Sequence, residues 1–465
     1  MKKTGNTEIE NFIMNHAAEN PISFHMPGHK GSNFYKRFGH EEFLRNFFDY
    51  DITEIEGADN LFQREGILAA ASQKYATLYG VKESFLLVNG TSCGLISAIL
   101  ATVPAGRKLI MARNSHKSVF NALSLGGIEP VYVNPELNRD WDVSGAINPE
   151  EIRKLLGENP EAEAVILPSP NYYGICSDVE AIAQVVHEFG KVLIVDQAHG
   201  AHLNFFNQFE VGDFPLAAER AGADIVVNSI HKTLASLTQS AVLNVCTGRV
   251  NIEVLEDKLQ MMESTSPSYI LMTSLGINSS ILEEHGESIF KEWQDNLEYF
   301  YKEAKSVEGL RLMENPTGLD KTKINLDLSK KGYSGRQLEK ALIQNYGIYA
   351  ELNTGNILMC MTGIGNGRPD YVALINALKE LSRTDPAEAV RNEENTVEHI
   401  GINRDKMLEQ VGRTCIKSVI PYPPGIPLIC PGETISRENV DKILNLLENG
   451  EKVLGLKKDG TINIK

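Results

Sequence analysis

The fold class follows most directly from residues 224–233, Asp-Ile-Val-Val-Asn-Ser-Ile-His-Lys-Thr. It begins as an apolar strand and ends in a polar cluster with Lys232 at its centre. Taken alone, Lys232 fits a surface residue just past a strand, because lysine side chains are mostly exposed. At the end of a buried strand, however, burial would lower the pKa of the amine and allow it to attack a carbonyl group.

A second apolar strand, residues 191–196, ends in the carboxylate of Asp196. A helix-sized, alanine-rich segment separates it from the strand that leads to Lys232. In open α/β sheets, ligands bind at the edge to which successive parallel strands deliver their side chains. The two strand ends therefore predict an active site around Lys232 and Asp196.

The composition is that of a globular protein large enough for more than one core, with 465 residues of which 42% are hydrophobic. The net charge of −16 argues against nonspecific binding to nucleic acid or to anionic membranes. The N-terminus has no signal-peptide pattern, and no apolar run approaches the roughly 18 residues of a membrane span. The six cysteines form no Cys-x-x-Cys pair, which predicts reduced, mostly buried thiols in a cytoplasmic protein.

Predicted strands and helices alternate from residue 66 to residue 246, a pattern typical of an α/β protein with a mainly parallel sheet covered on both faces. The predicted strands are residues 84–88, 108–112, 129–133, 164–168, 191–196, 224–227 and 240–246. The predicted helices are residues 7–18, 66–80, 93–102 and 278–306. In the first of them, Ile9, Phe12 and Ile13 are expected to face inward.

A smaller α+β unit follows the sheet. Its predicted elements are a strand at 322–328, a helix at 334–345, and strands at 347–352 and 356–362, with a last helix at 437–448. Gly363–Gly367 is interpreted as a turn rather than a nucleotide loop, because Arg368-Pro369 follows it. We expect three domains: residues 1–305 with the N-terminal segment and the large domain, 306–385 with the small α+β domain, and 386–465 at the C-terminus.

Four strand ends supply the groups that pyridoxal 5′-phosphate (PLP) requires. Thr91 and Ser92 follow Gly90 at a helix start and offer an anion site, and His116 offers a flat ring. Lys232 would bond to the cofactor aldehyde, and Asp196 would pair with the pyridine nitrogen and keep the ring an electron acceptor. His116 would stack on the ring. Further candidates are the small residue Ala198 on the other face, and Ser229 and His231 for phosphate binding or proton transfer.

The sequence contains two histidine pairs with spacings that metal ligands can have. His25 and His29 are separated by Pro27-Gly28, which excludes the helix that such a pair needs. His199 and His202 lack a third ligand nearby in the sequence. No metal site is predicted.

Several stretches resemble the Orn/Lys/Arg decarboxylase family, in its short bacterial form, from about residue 20 to 445. They are Phe-His-Met-Pro-Gly-His-Lys at 24–30, Arg-Asn-Ser-His-Lys-Ser at 113–118, Asp-Gln-Ala-His-Gly-Ala-His at 196–202, Ser-Ile-His-Lys-Thr-Leu at 229–234, Ser-Pro-Ser-Tyr at 266–269, and the tail segments 422–427 and 431–433. The resemblance implies a PLP-dependent, aspartate-aminotransferase-like fold with a decarboxylase-type C-terminal domain at 386–465. It also implies a homodimer with active sites at the subunit interface, and decarboxylation of a basic amino acid.

The resemblance also implies roles for individual residues. The catalytic set is Lys232, His231 and His116, with Lys232 as the Schiff-base lysine and Lys232 or His231 as the proton donor to Cα. The cofactor-binding set is Lys232, Asp196, Ala198, His199, His116, Thr91, Ser92, Ser229 and His231. Thr265 or Ser266 would reach the cofactor phosphate of the partner subunit, and Glu433, Asp51 and Glu54 are the candidates for the substrate's distal cation.

The chain departs from the family pattern at Ala58, Asn60 and Phe62, where Leu, Asp and His are usual. It also has Gln197 where Glu is common in the family. After the Lys-Thr-Leu run at 232–234 it has Ala235-Ser236, where the family often has proline. The cofactor set is intact, so these changes concern the choice of substrate. The expected reaction is arginine to agmatine in polyamine biosynthesis, with lysine to cadaverine second and ornithine to putrescine third. The alternatives are an aminotransferase or lyase of the same fold, and a non-catalytic PLP-binding paralogue.

Overall fold

The computed structural model describes residues 7–314, 318–390, 403–422, 425–448 and 451–465. It contains two compact units. The first comprises Met1–Ala112 and Ala122–Arg391, and the second comprises Arg113–Asn121 and Asn392–Lys465. The first unit includes nearly all of the two predicted domains 1–305 and 306–385, because one apolar cluster runs through both, from Leu86 to Leu358. The three-domain division remains a prediction.

The elements are numbered in chain order. The strands are β1 (Ile22–Phe24), β2 (Glu83–Leu87), β3 (Lys108–Ala112), β4 (Glu129–Val133), β5 (Leu137–Asn138), β6 (Val143–Ser144), β7 (Ala162–Pro168), β8 (Val192–Asp196), β9 (Ile225–Asn228), β10 (Ala241–Val245), β11 (Arg311–Leu312), β12 (Lys323–Asp327), β13 (Ile348–Ala350), β14 (Leu352–Thr354), β15 (Ile357–Met361), β16 (Ile420–Tyr422) and β17 (Lys452–Leu454). The helices are α1 (Glu8–Ala18), α2 (Ser32–Arg37), α3 (Glu41–Arg45), α4 (Ile67–Tyr79), α5 (Gly90–Thr102), α6 (Lys117–Gly126), α7 (Pro149–Glu158), α8 (Val179–Glu188), α9 (Leu203–Gln208), α10 (Ile230–Thr233), α11 (Ile252–Met262), α12 (Tyr269–Ala304), α13 (Gly335–Tyr346), α14 (Arg368–Leu381), α15 (Pro386–Ala389), α16 (Arg404–Leu408) and α17 (Arg437–Glu448), with a 3-10 turn at Ser329–Lys331.

The main sheet has seven strands in the order β2-β10-β9-β8-β7-β3-β4. The five strands from β9 to β4 pair in parallel, whereas β10 is antiparallel to both of its neighbours. The predicted mainly parallel α/β sheet is thus confirmed. Strands β8 and β9 are adjacent, with Asp196 opposite Val227, so their carboxyl ends lie side by side.

A second sheet, antiparallel and in the order β11-β12-β15-β14, belongs to the same compact unit. A separate parallel pair joins β1 to β13 and brings the N-terminal segment onto the small α+β part of the chain. The predicted strand 347–352 is two short strands, β13 and β14, with Glu351 between them. This break leaves Glu351 outside both strands.

Three helix predictions need correction. Helix α12 begins at Tyr269 rather than residue 278, because Ser268 caps it by accepting a hydrogen bond from the Leu271 N–H at 3.4 Å. Helix α5 begins at Gly90 rather than residue 93. Helix α14 begins at Arg368, although Arg368-Pro369 was interpreted as evidence against a helix start; proline is in fact favoured in the first turn. The turn at Gly363–Gly367 that precedes it is present, with its tight part at residues 364–365.

The inward orientation predicted for the apolar face of α1 was wrong. The exposed fractions of Ile9, Phe12 and Ile13 are 75%, 71% and 58%, and no residue of the helix is buried. The helix forms at its predicted place, capped by Thr7. Its apolar stripe stays open because helix periodicity shows which residues share a face but not whether another element covers that face.

The second compact unit has its own apolar core, formed by residues of α16, α17 and the loops around β16. Its fully buried members include Met407, Val419, Ile429 and Ile443. Arg113 anchors the segment Arg113–Asn121 in this unit: its guanidinium donates to the Pro427 carbonyl at 2.7 Å and pairs with Glu433 at 2.9 Å.

Five of the six cysteines are buried and Cys246 is partly buried, as the sequence predicts. Throughout the described part of the chain, no helix combines the length and the apolar character needed to cross a membrane. The described residues also contain no cluster of three or more side chains suited to a metal ion.

Candidate active site

Lys232 and Asp196 occupy the ends of two adjacent parallel strands. Asp196 is the last residue of β8, and Lys232 lies in the one-turn helix α10 that follows β9. Ser229 begins this helix with extended backbone, so the chain turns as soon as the strand ends. The predicted juxtaposition follows from the parallel pairing of β8 with β9.

The electrostatics of this pair favour an uncharged amine beside a carboxylate. Burial lowers the pKa of Lys232, and the like charge of Lys323 lowers it further, while Asp196 and Glu351 act against this shift. Burial raises the pKa of Asp196, whereas Lys232 and the Ala198 N–H, which donates to Oδ1 at 3.1 Å, favour its ionised form. The Lys232 Nζ lies 2.9 Å from the His199 Nε2. A lysine in this setting is suited to nucleophilic attack on a carbonyl group.

A small anion site lies at the start of α5. No side chain caps this 13-residue helix, so the first backbone N–H groups keep their capacity to bind an anion. The Thr91 Oγ1 lies 3.3 Å from the Oγ of the fully buried Ser229, and Ser92 follows in the same turn. Gly90 has a φ of +75°, which permits the abrupt turn into the helix. Hydroxyl groups beside a helix N-terminus fit a phosphate monoester.

His231 is held as a neutral ring. Its Nδ1 lies 2.9 Å from the Ser240 carbonyl, which can only accept, so Nδ1 carries the proton and Nε2 is an acceptor. Burial lowers the pKa of His231 to about 4. Near neutral pH the His231 ring is therefore neutral, and its Nε2 can accept a hydrogen bond.

The remaining predicted site residues are placed as follows. His116 lies in the second compact unit, where its Nδ1 is 2.9 Å from the Ser118 Oγ. Glu433, in the same unit, accepts from Arg113 and from the Cys430 N–H at 2.7 Å. Asp51, Glu54, Thr265 and Ser266 are exposed. The roles given to these residues remain predictions.

Asn60, one of the departures from the family pattern, has a local structural role. Its Oδ1 accepts from the Phe62 and Gln63 N–H groups at 2.8 and 3.1 Å, and its Nδ2 donates to Glu54 at 2.9 Å. An aspartate at this position could accept the first two bonds but could not donate the third. Phe62 packs against the main apolar cluster.

Glycines that had no assigned role hold the Lys232 segment in place. The Gly28 N–H donates to the His231 carbonyl at 2.7 Å, and the Gly365 N–H donates to the Gly28 carbonyl at 3.0 Å. A Cβ on Gly28 would lie 2.4 Å from the Leu234 carbonyl oxygen, and one on Gly365 would lie 2.2 Å from the His29 carbonyl oxygen. The backbone segments around Gly28, Thr233 and Gly365 therefore lie in van der Waals contact next to Lys232. The Pro-Gly motif at 24–31 and the turn at 363–367 were the available signals in the sequence.

Other residues beside Lys232 were not found from the sequence. Glu351 accepts a hydrogen bond from the Met26 N–H at 2.9 Å, and its charge is coupled to those of Lys232 and Lys30. The Tyr172 ring packs on the His199 ring with centroids 4.4 Å apart. Glu351 lies between β13 and β14, where the sequence predicts one continuous strand, so its position could not be found from the sequence. Tyr172 lies four residues past the end of β7, the same distance as His116 past β3, and this spacing was the available signal.

Stability is expected to fall as the pH decreases from 6.5 to 4. Burial lowers the pKa of both His29 and His231 from 6.5 to about 4 in the folded protein. In this interval the unfolded chain binds protons that the folded chain does not, so each histidine contributes a slope of at most about 1.4 kcal/mol per pH unit. We expect His29→Gln, which can still accept from the Gly31 N–H, to reduce the fall in thermal melting temperature between pH 6.5 and 4.5. An unchanged pH dependence in this variant would contradict the assignment.

These features are typical of PLP-dependent enzymes of the aspartate-aminotransferase-like fold: the mainly parallel sheet, the lysine and carboxylate at its strand ends, and the hydroxyl groups at a helix start. Solved structures agree on the fold. The constitutive lysine decarboxylase of Escherichia coli superposes with a TM-score of 0.72 over 93% of this chain and 77% of its own, at 20% identity. The lysine decarboxylase of Francisella novicida gives a TM-score of 0.73 over 99% and 84%, at 19% identity.

The chain belongs to the Orn/Lys/Arg decarboxylase family of PLP-dependent lyases. The family's major domain matches residues 9–324, and its C-terminal domain matches residues 376–459. An arginine decarboxylase of Bacillus subtilis (strain 168) is 30% identical over 98% of this chain and 97% of its own length. The lysine decarboxylase LdcA of Pseudomonas aeruginosa is 26% identical over 63% of this chain and 42% of its own length.

Proposed function

We propose that this protein decarboxylates a basic amino acid with PLP as cofactor, and that arginine, converted to agmatine, is its substrate. The observation that carries the proposal is the partly buried Lys232 beside Asp196, at adjacent strand ends, in a member of this family. Arginine is preferred because two similar proteins of matching length, from Bacillus subtilis and Bacillus anthracis, are named arginine decarboxylases. Lysine and ornithine are the second and third candidates.

The residues present fit the cofactor. In the proposed arrangement Lys232 supplies the amine that bonds to the aldehyde, and Asp196 faces the pyridine nitrogen. Thr91, Ser92, Ser229 and His231 would hold the phosphate. The family resemblance implies that His116 would stack on the ring, with Ala198 and His199 beside it. Bound PLP supplies an electron-withdrawing ring that stabilises negative charge at the substrate Cα.

The chain's own residues control the protons. Burial raises the pKa of Asp196, while Lys232 and the Ala198 N–H favour the ionised form that would stabilise a protonated pyridine nitrogen. After CO₂ leaves, a proton must reach Cα. Lys232 would deliver it from Nζ, and His231, whose Nε2 is free to accept a hydrogen bond, is the second candidate that the family resemblance gives. His199, 2.9 Å from the Lys232 Nζ, orients the amine.

The acidic candidates for the substrate's distal cation differ in their partners. Glu433 is already paired with Arg113, whereas Asp51 and Glu54 form no salt bridge with any residue that the structure describes. Exposed carboxylates of this kind are suited to meet a substrate at a subunit interface. We therefore propose a homodimer in which Asp51 and Glu54 are the first residues to examine for substrate recognition.

The decisive experiment supplies the purified protein with PLP and each of arginine, lysine and ornithine, and measures CO₂ and the amine product. We expect agmatine from arginine, with a lower kcat/KM for the other two substrates. A keto acid with pyridoxamine phosphate and no CO₂ would support the aminotransferase alternative. No amine from any of the three would overturn the proposal.

Asp196→Asn is expected to lower kcat by roughly 10²–10³-fold, because a neutral amide cannot stabilise a protonated pyridine nitrogen. KM should change less, since the carboxylate does not face the substrate side chain in the proposed arrangement. Steady-state CO₂ release, normalised to bound cofactor, measures the effect. As a control, Asp178→Asn removes a carboxylate that only caps α8, and it should leave kcat unchanged.

A further inference from the structure

Three ionisable side chains near Lys232 are completely buried and have no role in the proposed reaction. His202, Asp320 and Lys323 each have an exposed fraction of 0%. Burying charge is unfavourable unless every charge is paired and hydrogen-bonded, and an apolar cluster of similar volume is often as stable. A fully buried cluster of this kind therefore suggests a requirement other than stability alone.

The carboxylate of Asp320 is the centre of the cluster. Its Oδ2 accepts from the Lys323 Nζ at 3.0 Å and faces the His202 Nε2 at 3.1 Å, while its Oδ1 accepts from the Thr322 hydroxyl at 2.7 Å. Burial alone would raise the pKa of Asp320, but Lys323 and His202 outweigh it and hold that pKa well below its usual range. The carboxylate is therefore ionised, and both of its oxygens act as acceptors.

The first arm of the cluster reaches the residue after Lys232. Burial lowers the pKa of His202, so its ring is neutral and has one proton. The His202 Nε2 faces the Asp320 carboxylate and the Thr322 hydroxyl oxygen, whose own proton is donated to Asp320, so Nε2 carries the proton. The Nδ1 of His202 is then an acceptor, and the Thr233 hydroxyl donates to it at 3.1 Å. Donor and acceptor are thus assigned for every hydrogen bond from Asp320 through His202 to Thr233.

The second arm reaches the residue that contacts the amine. The Lys323 Nζ donates to the His199 carbonyl at 2.6 Å, and the His199 Nε2 lies 2.9 Å from the Lys232 Nζ. The two arms thus start at one ion pair, and one ends at the residue that follows Lys232 while the other ends at the residue that contacts its amine. The Trp293 ring lies 5.2 Å from the His202 ring and helps to exclude water from the cluster.

We propose, building on the function above, that Asp320, Lys323 and His202 are positioning residues that hold the Lys232 and His199 segments in fixed register, so that the Lys232 amine points at its reaction partner. Among the described residues, the charged and titratable groups that face Lys232 besides Lys323 include Asp196, Glu351, His199 and His231. Lys323 adds a like charge to this environment, which favours the neutral amine. The cluster acts through Thr233 and His199 and does not itself contact the reacting atoms.

The test uses protein without added cofactor, so that it does not depend on decarboxylation. Lys232 is acetylated with acetic anhydride at a series of pH values, and its modification is measured by peptide mass spectrometry. In Lys323→Met, we expect the pH of half-maximal reactivity of Lys232 to rise by about one unit, because a like charge is removed from a buried site. In the PLP-loaded protein, the absorbance change of the lysine-bound cofactor with pH should shift in the same direction.

A second variant avoids leaving a buried charge without its partner. Thr233→Val cuts the first arm with nearly the same volume, and we expect a fall in kcat of about tenfold at constant KM, with faster release of PLP. Thr233→Ser keeps the hydroxyl and should restore the wild-type values. If Thr233→Ser does not restore the wild-type kcat and PLP release, the proposed role of the first arm is contradicted.

Arg311→Met is the matched control, since it breaks the ion pair with Asp327 at the other end of β12. If Lys323→Met lowers the melting temperature but leaves the Lys232 titration as in Arg311→Met, the cluster is only structural and the inference fails. A shifted Lys232 titration in a protein that produces no amine would support the inference while the proposed function failed.

Discussion

Lys232→Met is expected to lower kcat for amine formation by at least about 10³-fold, the scale of loss when a residue central to covalent catalysis is removed. The variant cannot bond to the cofactor aldehyde and cannot return a proton from Nζ. It should also lose the absorbance band of lysine-bound PLP. Because the unfavourable burial of a lysine is relieved, we expect no loss of thermal stability in the absence of the cofactor.

CO₂ release and the absorbance spectrum of the PLP-reconstituted protein measure this prediction. Lys291→Met is the matched control: Lys291 is an exposed lysine whose partner is Glu287, one turn away on α12, and its replacement should leave both readouts unchanged. Retention of both the band and the activity in Lys232→Met would require another lysine to be the bonding residue.

Gly28→Ala is expected to destabilise the folded protein by about 3 kcal/mol, the upper end of the range for overpacking. The added Cβ would lie 2.4 Å from the Leu234 carbonyl oxygen and 2.5 Å from the Thr233 carbonyl carbon, and backbone atoms cannot rotate away as a side chain can. Movement of this backbone would also displace Lys232 and weaken cofactor binding. Urea denaturation and equilibrium dialysis of PLP measure the two effects.

Gly276→Ala is the control, because a Cβ there meets no atom within 4 Å and the residue lies inside α12. It should be neutral or stabilising, by up to about 1 kcal/mol, since alanine is the better helix former. Equal stability of Gly28→Ala and wild type would mean that the 25–31 loop can move away from the Lys232 segment. The contact between the three backbone segments would then not be needed for cofactor binding.

The strand-end chemistry was predictable because it depends on local periodicity and on one topological rule. Apolar runs that end in Asp196 and Lys232 predict strands, and adjacent parallel strands bring such ends together. The antiparallel direction of β10 and the early start of α12 were not predictable in the same way. They depend on pairing partners and on a cap that the apolar pattern does not contain.

The apolar stripe of α1 shows a second limit. Ile9, Phe12 and Ile13 share a helix face, as their spacing requires, yet all three are exposed in the single chain. Periodicity carries information about one element only, whereas burial is a property of two surfaces in contact. A prediction of inward orientation therefore needed knowledge of the neighbouring element.

The sequence by itself determined the fold class, the Lys232 and Asp196 pair, and the hydroxyl-lined turn at Thr91 and Ser92, because these features recur at fixed distances from strand ends. Only the tertiary structure decided what holds Lys232 in place. Gly28 packs against the backbone of Thr233 and Leu234, and Gly365 packs against Gly28 and His29. Asp320 and Lys323 orient the neighbours of Lys232 through hydrogen bonds of defined direction. These contacts join residues far apart in the chain, and close approach and proton direction exist only once the segments meet.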